Sequence, residues 1–246
     1  MTKKTALYIA AMFLLGLGVL LYPPIQHQRF ERYTQQVIED FEARIEAYLA
    51  LYHAQREANG HSAPTSGNNY SFLYFVNMWL SGFNYNMSRG TQEHLLDPFR
   101  YNHPSFNLER FGFDTEIIGV LSIPSIDVRL PIYLGTSAEN LHRGAAHLTH
   151  SSFPVGGNST NAVIAGHRSA PHARLFRDIE SIEFGDTIEI ANFHQTITYT
   201  VIETKVVNPH DEDFMIIQSN RDLVTIITTA RMRSSRRYVV VAERTG

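Results

Sequence analysis

The sequence predicts a mainly β domain of seven to eight strands with short helices, preceded by N-terminal helices and a membrane anchor. Three observations lead there. Between residues 117 and 242, short runs rich in β-branched and aromatic residues recur between turn signals. The helical stretches among them are too brief for the crossovers of a wholly parallel sheet. Upstream, apolar residues instead recur at steps of three and four. An antiparallel barrel or sandwich over 111–246 accounts for the first two observations.

The N-terminal elements come first in the chain. Lys3 and Lys4 precede an uncharged, mostly apolar run over 6–22. At about 1.5 Å per helical residue this run reaches roughly 25 Å, the short end of a bilayer span. It ends Leu20-Leu21-Tyr22-Pro23-Pro24, bulky and then rigid, without the small residues of a cleavage site. The expectation is an uncleaved transmembrane anchor over 6–22, with 1–5 cytoplasmic and the rest outside, because lysines favour the cytoplasmic side. A helix follows over 27–58, where Phe30, Tyr33, Val37, Phe41, Ile45, Tyr48 and Tyr52 form one stripe. That stripe is expected to pack on the domain; a coiled coil would want cleaner leucine heptads. Residues 59–69 read as a linker, and 70–85 as a short aromatic-rich helix laid on the barrel or on a membrane surface.

Strands are expected over 117–123, 126–133, 162–165, 187–191, 196–207, 223–229 and 237–242. Short helical turns fit near 138–142 and 171–179.

Composition narrows the function classes. With 43% hydrophobic and 18% charged residues, the 246-residue chain has the make-up of a folded protein. A formal charge of -3 argues against nucleic acid as a partner. The chain has no cysteine, which removes disulfides, thiolate metal sites and thiol chemistry together. His147 and His150 lie close in sequence without a carboxylate or third ligand nearby, so no metal and no other cofactor is expected.

Several segments fall in a telling order. Ile123-Pro124, Leu130-Pro131-Ile132-Tyr133 and Gly144-Ala145-Ala146-His147-Leu148 come first. Ala165-Gly166-His167-Arg168 follows an apolar strand, Thr225-Ile226-Ile227-Thr228-Thr229 closes another, and Arg237 opens a third. This ordered set resembles the sortases, transpeptidases that cut and rejoin surface proteins. Leu96-Asp97-Pro98-Phe99, upstream of the barrel, is similar to the lid of class C, pilus-building sortases. The resemblance implies a closed sortase-like β-barrel, with 23–110 as helical stalk, linker and lid. It implies that His167 is the acid/base, that Arg237 orients substrate and oxyanion, and that Asp97, Pro98 and Phe99 cover the site. Asp97 is then a candidate partner for Arg237.

The resemblance also implies a reaction. A thiolate attacks a carbonyl in a sorting signal resembling L-P-x-T-G, and an amine from a pilin lysine or a cell-wall precursor resolves the acyl-enzyme. The location implied is the cell membrane of a Gram-positive bacterium, with the catalytic domain outside. In the family signature T-L-x-T-C the last residue is the nucleophile, and here it is Thr229. A threonine hydroxyl is a weak nucleophile, and threonine nucleophiles usually rely on their own N-terminal amine as base. Should the register slip by one, Ala230 takes that position and Arg236 stands in for Arg237. Both assignments predict negligible transpeptidation, leaving either an altered enzyme or a non-catalytic factor that holds pilin or sorting peptides.

Overall fold

In the computed structural model, which describes residues 3–58, 72–90, 92, 95–100, 116–170 and 173–245, eight strands close into a barrel. They are β1 (Ile117–Ile123), β2 (Val128–Leu134), β3 (Ala145–His147), β4 (Thr160–Ala165), β5 (Thr187–Ala191), β6 (Thr196–Val207), β7 (Asp222–Ala230) and β8 (Arg233–Arg244). Their spatial order is β1-β2-β3-β4-β7-β8-β6-β5. The expected antiparallel arrangement needs correction at two junctions, since β2–β3 and β4–β7 are parallel. At the first, helix α3 (Ala138–Arg143) returns the chain so that β3 starts beside the end of β2. At three residues, β3 is too short to show any periodicity.

Other boundaries differ as well, β4 and β8 being longer than expected. Pro124–Ile126 form a 3-10 turn that closes on Asp127 at φ 52, so β2 begins later than its alternating pattern suggests. The helical turn expected near 171–179 is reduced to a 3-10 turn at Ile179–Ser181. The linker expected over 59–69 lies outside the described residues.

A single helix, α1 (Lys3–Ala58), replaces the expected anchor and separate stalk helix, and it carries Pro23 and Pro24 inside it. Proline costs a helix interior about 3 kcal/mol, a preference that long helical flanks can outweigh. The expected transmembrane helix over 6–22 is therefore not a separate element. Among the described residues, no helix is long and apolar enough to cross a membrane. Further along α1, Ile38 and Phe41 are buried in the barrel cluster, and Arg129 of β2 pairs with Glu42 at 2.5 Å. Helix α2 (Phe72–Arg89) is docked by Asn84. Its amide donates to Phe153 O (3.0 Å) and accepts from Phe153 N (2.7 Å), as a strand neighbour would.

Strands β4, β7 and β8 are buried on both faces, which explains their nearly continuous apolar runs. Ile164, Ile226 and Val240 face the barrel interior. Val163, Ile227 and Val239 belong to a second cluster that Leu95, Leu141, Phe214 and Met215 cover from outside. This second face carries the candidate site.

His147 of β3 is fully buried and stacks on Phe153, with ring centroids 4.9 Å apart. Its Nε2 donates to Ser152 O (2.9 Å), whereas Nδ1 is buried without a hydrogen-bond partner among the described residues. A second proton would have no acceptor there, and burial lowers the pKa from 6.5 to about 4. The unfolded chain takes up that proton near pH 6.5, while the folded chain refuses it until about pH 4. The contribution to stability is thus complete above the higher value and lost as pH falls between the two, by about 3 kcal/mol. Urea midpoints measured from neutral pH down to pH 4 should show this acid limb, and His147→Asn should shrink it. An equally steep limb in the variant would discard the assignment.

Candidate active site

The site is assembled at the ends of three adjacent strands. Gly166 N donates to Ile227 O (3.2 Å), which carries the parallel β4–β7 ladder one residue further and brings His167 alongside the end of β7. Across the antiparallel β7–β8 pair, Thr229 lies directly opposite Arg237. Val163, Ala165, Ile227 and Val239 share the outer cluster. Because side chains alternate along strands, Thr229 and Arg237 point to that same face, and the His167 ring meets Phe99, which packs against that cluster. Thr228 is fully buried on the opposite face, and Ala230 follows a register shift to pair with Arg233. Position 229, not 230, thus faces Arg237. Arg237 is 8% exposed, whereas Arg236 is half-buried and lends its carbonyl to Arg237 Nη1 at 3.4 Å.

Gly166 is required by close packing. A Cβ at that position would lie 2.3 Å from the Phe176 ring, and Phe176 N donates to His167 O (3.3 Å). The absent side chain lets Phe176 brace the backbone that presents the histidine.

The tripeptide expected as a lid contacts two of these groups, Arg237 and His167. Asp97 Oδ1 accepts from Arg237 Nε (2.9 Å) and Oδ2 from Nη2 (2.5 Å). Both side chains are about nine-tenths buried, and such two-point geometry is what a desolvated ion pair needs. Pro98 is buried, and Pro98–Arg100 form a 3-10 turn. The Phe99 ring centroid lies 4.8 Å from the Arg237 guanidinium carbon and 5.6 Å from the His167 ring. Phe99 thus occupies the space between histidine and arginine.

His167 is half-buried, and its Nε2 has no hydrogen-bond partner among the described residues. Its pKa falls below the ordinary imidazole value, first through burial and then through the nearby His142. His142 escaped the sequence reading because nothing in a six-residue helix marks which side chain will touch a distant strand end. Glu180 escaped it too. Glu180 Oε1 accepts from both Arg168 (3.0 Å) and Arg231 N (2.5 Å), tying the loop after β4 to the end of β7. Among the described residues, no group of three His, Cys, Asp or Glu side chains could hold a metal ion.

A family model described as Sortase domain matches residues 121–245. The chain belongs to the sortase family. Its closed eight-stranded barrel is the sortase fold, and its structural neighbours are sortase C proteins of pilus systems. The Streptococcus pneumoniae Sortase C crystal structure covers 86% of this chain and 97% of its own, at TM-score 0.70 and 27% identity. The Group B Streptococcus Pilus Island 1 Sortase C2 covers 74% and 100%, at TM-score 0.65 and 34% identity. Curated sortases match about half of this chain. Sortase D of Bacillus subtilis is 28% identical over 130 residues, covering 51% of this chain and 63% of its own. Sortase A of Listeria monocytogenes is 32% identical over 129 residues, covering 52% and 56%. The matches thus span less than two thirds of each curated relative.

Proposed function

We propose that this sortase-family chain receives the sorting signal of pilin or other surface proteins under its lid, and that it cannot cleave that signal with Thr229 in place. The observation that carries the reading is the strand register: Thr229 opposite Arg237, with His167 delivered beside them by the parallel strand. In the parent reaction a thiolate at position 229 attacks the peptide carbonyl and the carbon–nitrogen bond breaks. His167 gives a proton to the leaving amine, then takes one from the incoming amine of a pilin lysine or cell-wall precursor. Arg237 is always charged and hydrogen-bonds the substrate backbone or the developing oxyanion. Thr229 has no N-terminal amine to activate it, and burial weakens His167 as a base for its hydroxyl.

Asp97 and Phe99 hold Arg237 and His167 in a covered state, so the lid must lift before a peptide enters. Single-pass attachment through 6–22, a stalk and lid over 23–110 and a barrel domain over 111–246 belong to the same proposal. The apolar side chains exposed between Met12 and Tyr22 support the attachment. A second reading rests on the cysteine-free sequence itself: an assembly factor that holds pilin or sorting peptides without cutting them.

The test is a single-turnover reaction of the full chain with a sorting peptide and an amine acceptor, followed by intact mass. Unmodified protein and no ligated product are expected. A stoichiometric acyl adduct on the wild-type chain would remove inactivity from the proposal.

A further inference from the structure

We infer that His142 is a positioning residue for His167: held rigidly on α3, its imidazole packs edge-on against the His167 ring, sets that ring's orientation and couples the protonation of the two. The ring centroids are 4.9 Å apart at an interplanar angle of 72°. The orientation arm of the inference stands whatever the chemistry at position 229; its catalytic consequence rests on the proposed role of His167.

Helix α3 is clamped at both ends. Ser137 Oγ accepts from Asn140 N (3.1 Å), and the Asn140 amide donates to Leu134 O and Gly135 O at 3.0 Å each. Gly144 closes the helix so near to β2 that a Cβ there would meet Pro131 O at 2.8 Å. On this fixed element, His142 Nδ1 approaches Ala138 O at 2.6 Å. A carbonyl only accepts, so Nδ1 carries the proton and the tautomer of His142 is set.

The two faces of His142 differ. One meets His167; the other is exposed and walls a groove of about 310 Å³ shared with Gln26, Arg29, Phe30, Tyr33 and Arg143. The charged groups around the pair are accounted for on each side. Arg237, bound to Asp97, stands behind Phe99, and Arg168 beside His167 is paired with Glu180. Arg143 sits with Glu139 on α3, and Arg29 and Tyr33 face the groove from α1. Among the described residues, no carboxylate lines that groove to compensate a second positive charge. Across the ring contact, a positive charge on either imidazole opposes one on the other.

The experiment is an NMR titration of ring resonances in histidine-labelled full-length protein, comparing wild type with His142→Phe and His142→Gln. His142→Phe keeps a ring against His167 but removes a group that can carry charge, so it should raise the His167 midpoint while its ring-current shifts persist. His142→Gln should raise the midpoint similarly and also alter those shifts. Folded variants with an unchanged His167 midpoint would overturn the coupling, and unchanged ring-current shifts in His142→Gln would overturn the positioning. In a Thr229→Cys background, the acid limb of acyl transfer should move to higher pH with His142→Phe. If the resonances shift while Thr229→Cys stays silent, the positioning role stands and the catalytic reading of the site falls.

Discussion

Thr229→Cys should give a protein that forms a covalent acyl adduct with a sorting peptide and passes it to an amine. The substitution adds the one missing atom type to a framework already in register. A cysteine at 229 would lie directly across the strand pair from Arg237 and beside the strand end bearing His167. A free thiol ionises near pH 8.5, and a neighbouring guanidinium lowers that value. Restoring a nucleophile to an otherwise assembled site should raise single-turnover acylation on the order of 10⁴-fold above the threonine protein. Intact mass after mixing with peptide detects the adduct, and ligation to an added amine detects its resolution. Silence with retained peptide binding would favour the assembly factor. Silence with no binding would remove the site from consideration.

Asp97→Ala should open the lid. Taking one partner from a buried ion pair leaves the other desolvated, at a cost of about 3–5 kcal/mol if nothing moves. Arg237 can avoid that cost by reaching water, which requires Phe99 to leave the space between it and His167. The segment 95–100 should then exchange its amide hydrogens at least about tenfold faster, while β7 and β8 keep their protection. In a Thr229→Cys background, alkylation of the new thiol and acylation by peptide should both accelerate about tenfold or more. Opening also returns Arg237 to the thiol and water to His167, whose pKa then rises toward its ordinary value because burial is the larger part of what lowers it. Unchanged exchange and unchanged thiol access would mean that the Asp97–Arg237 pair does not hold the lid.

Much of this was legible from residue order. The strand segments of β1, β5, β6, β7 and β8 show in the alternation and turn signals of the sequence, and His167, Thr229, Arg237 and Asp97 were named from motifs. The parallel junctions β2–β3 and β4–β7 were not legible, because strand direction depends on which distant segments pair and periodicity carries no sign. The break expected at Pro23–Pro24 was a local preference overridden along a 56-residue helix. The contacts of Asn84, His147 and Glu180 left no trace, since each is a polar residue whose partner lies in another element.

By itself the sequence determined the barrel class, the kinship carried by its motifs, and the absence of any thiol, because these depend on residue type and local order. The tertiary structure alone decided that position 229 rather than 230 faces Arg237, that Phe99 fills the gap beside His167, and that His142 touches that histidine. A bulge, a turn and a clamped helix set those relations, and each is a matter of register and packing between segments far apart in the chain.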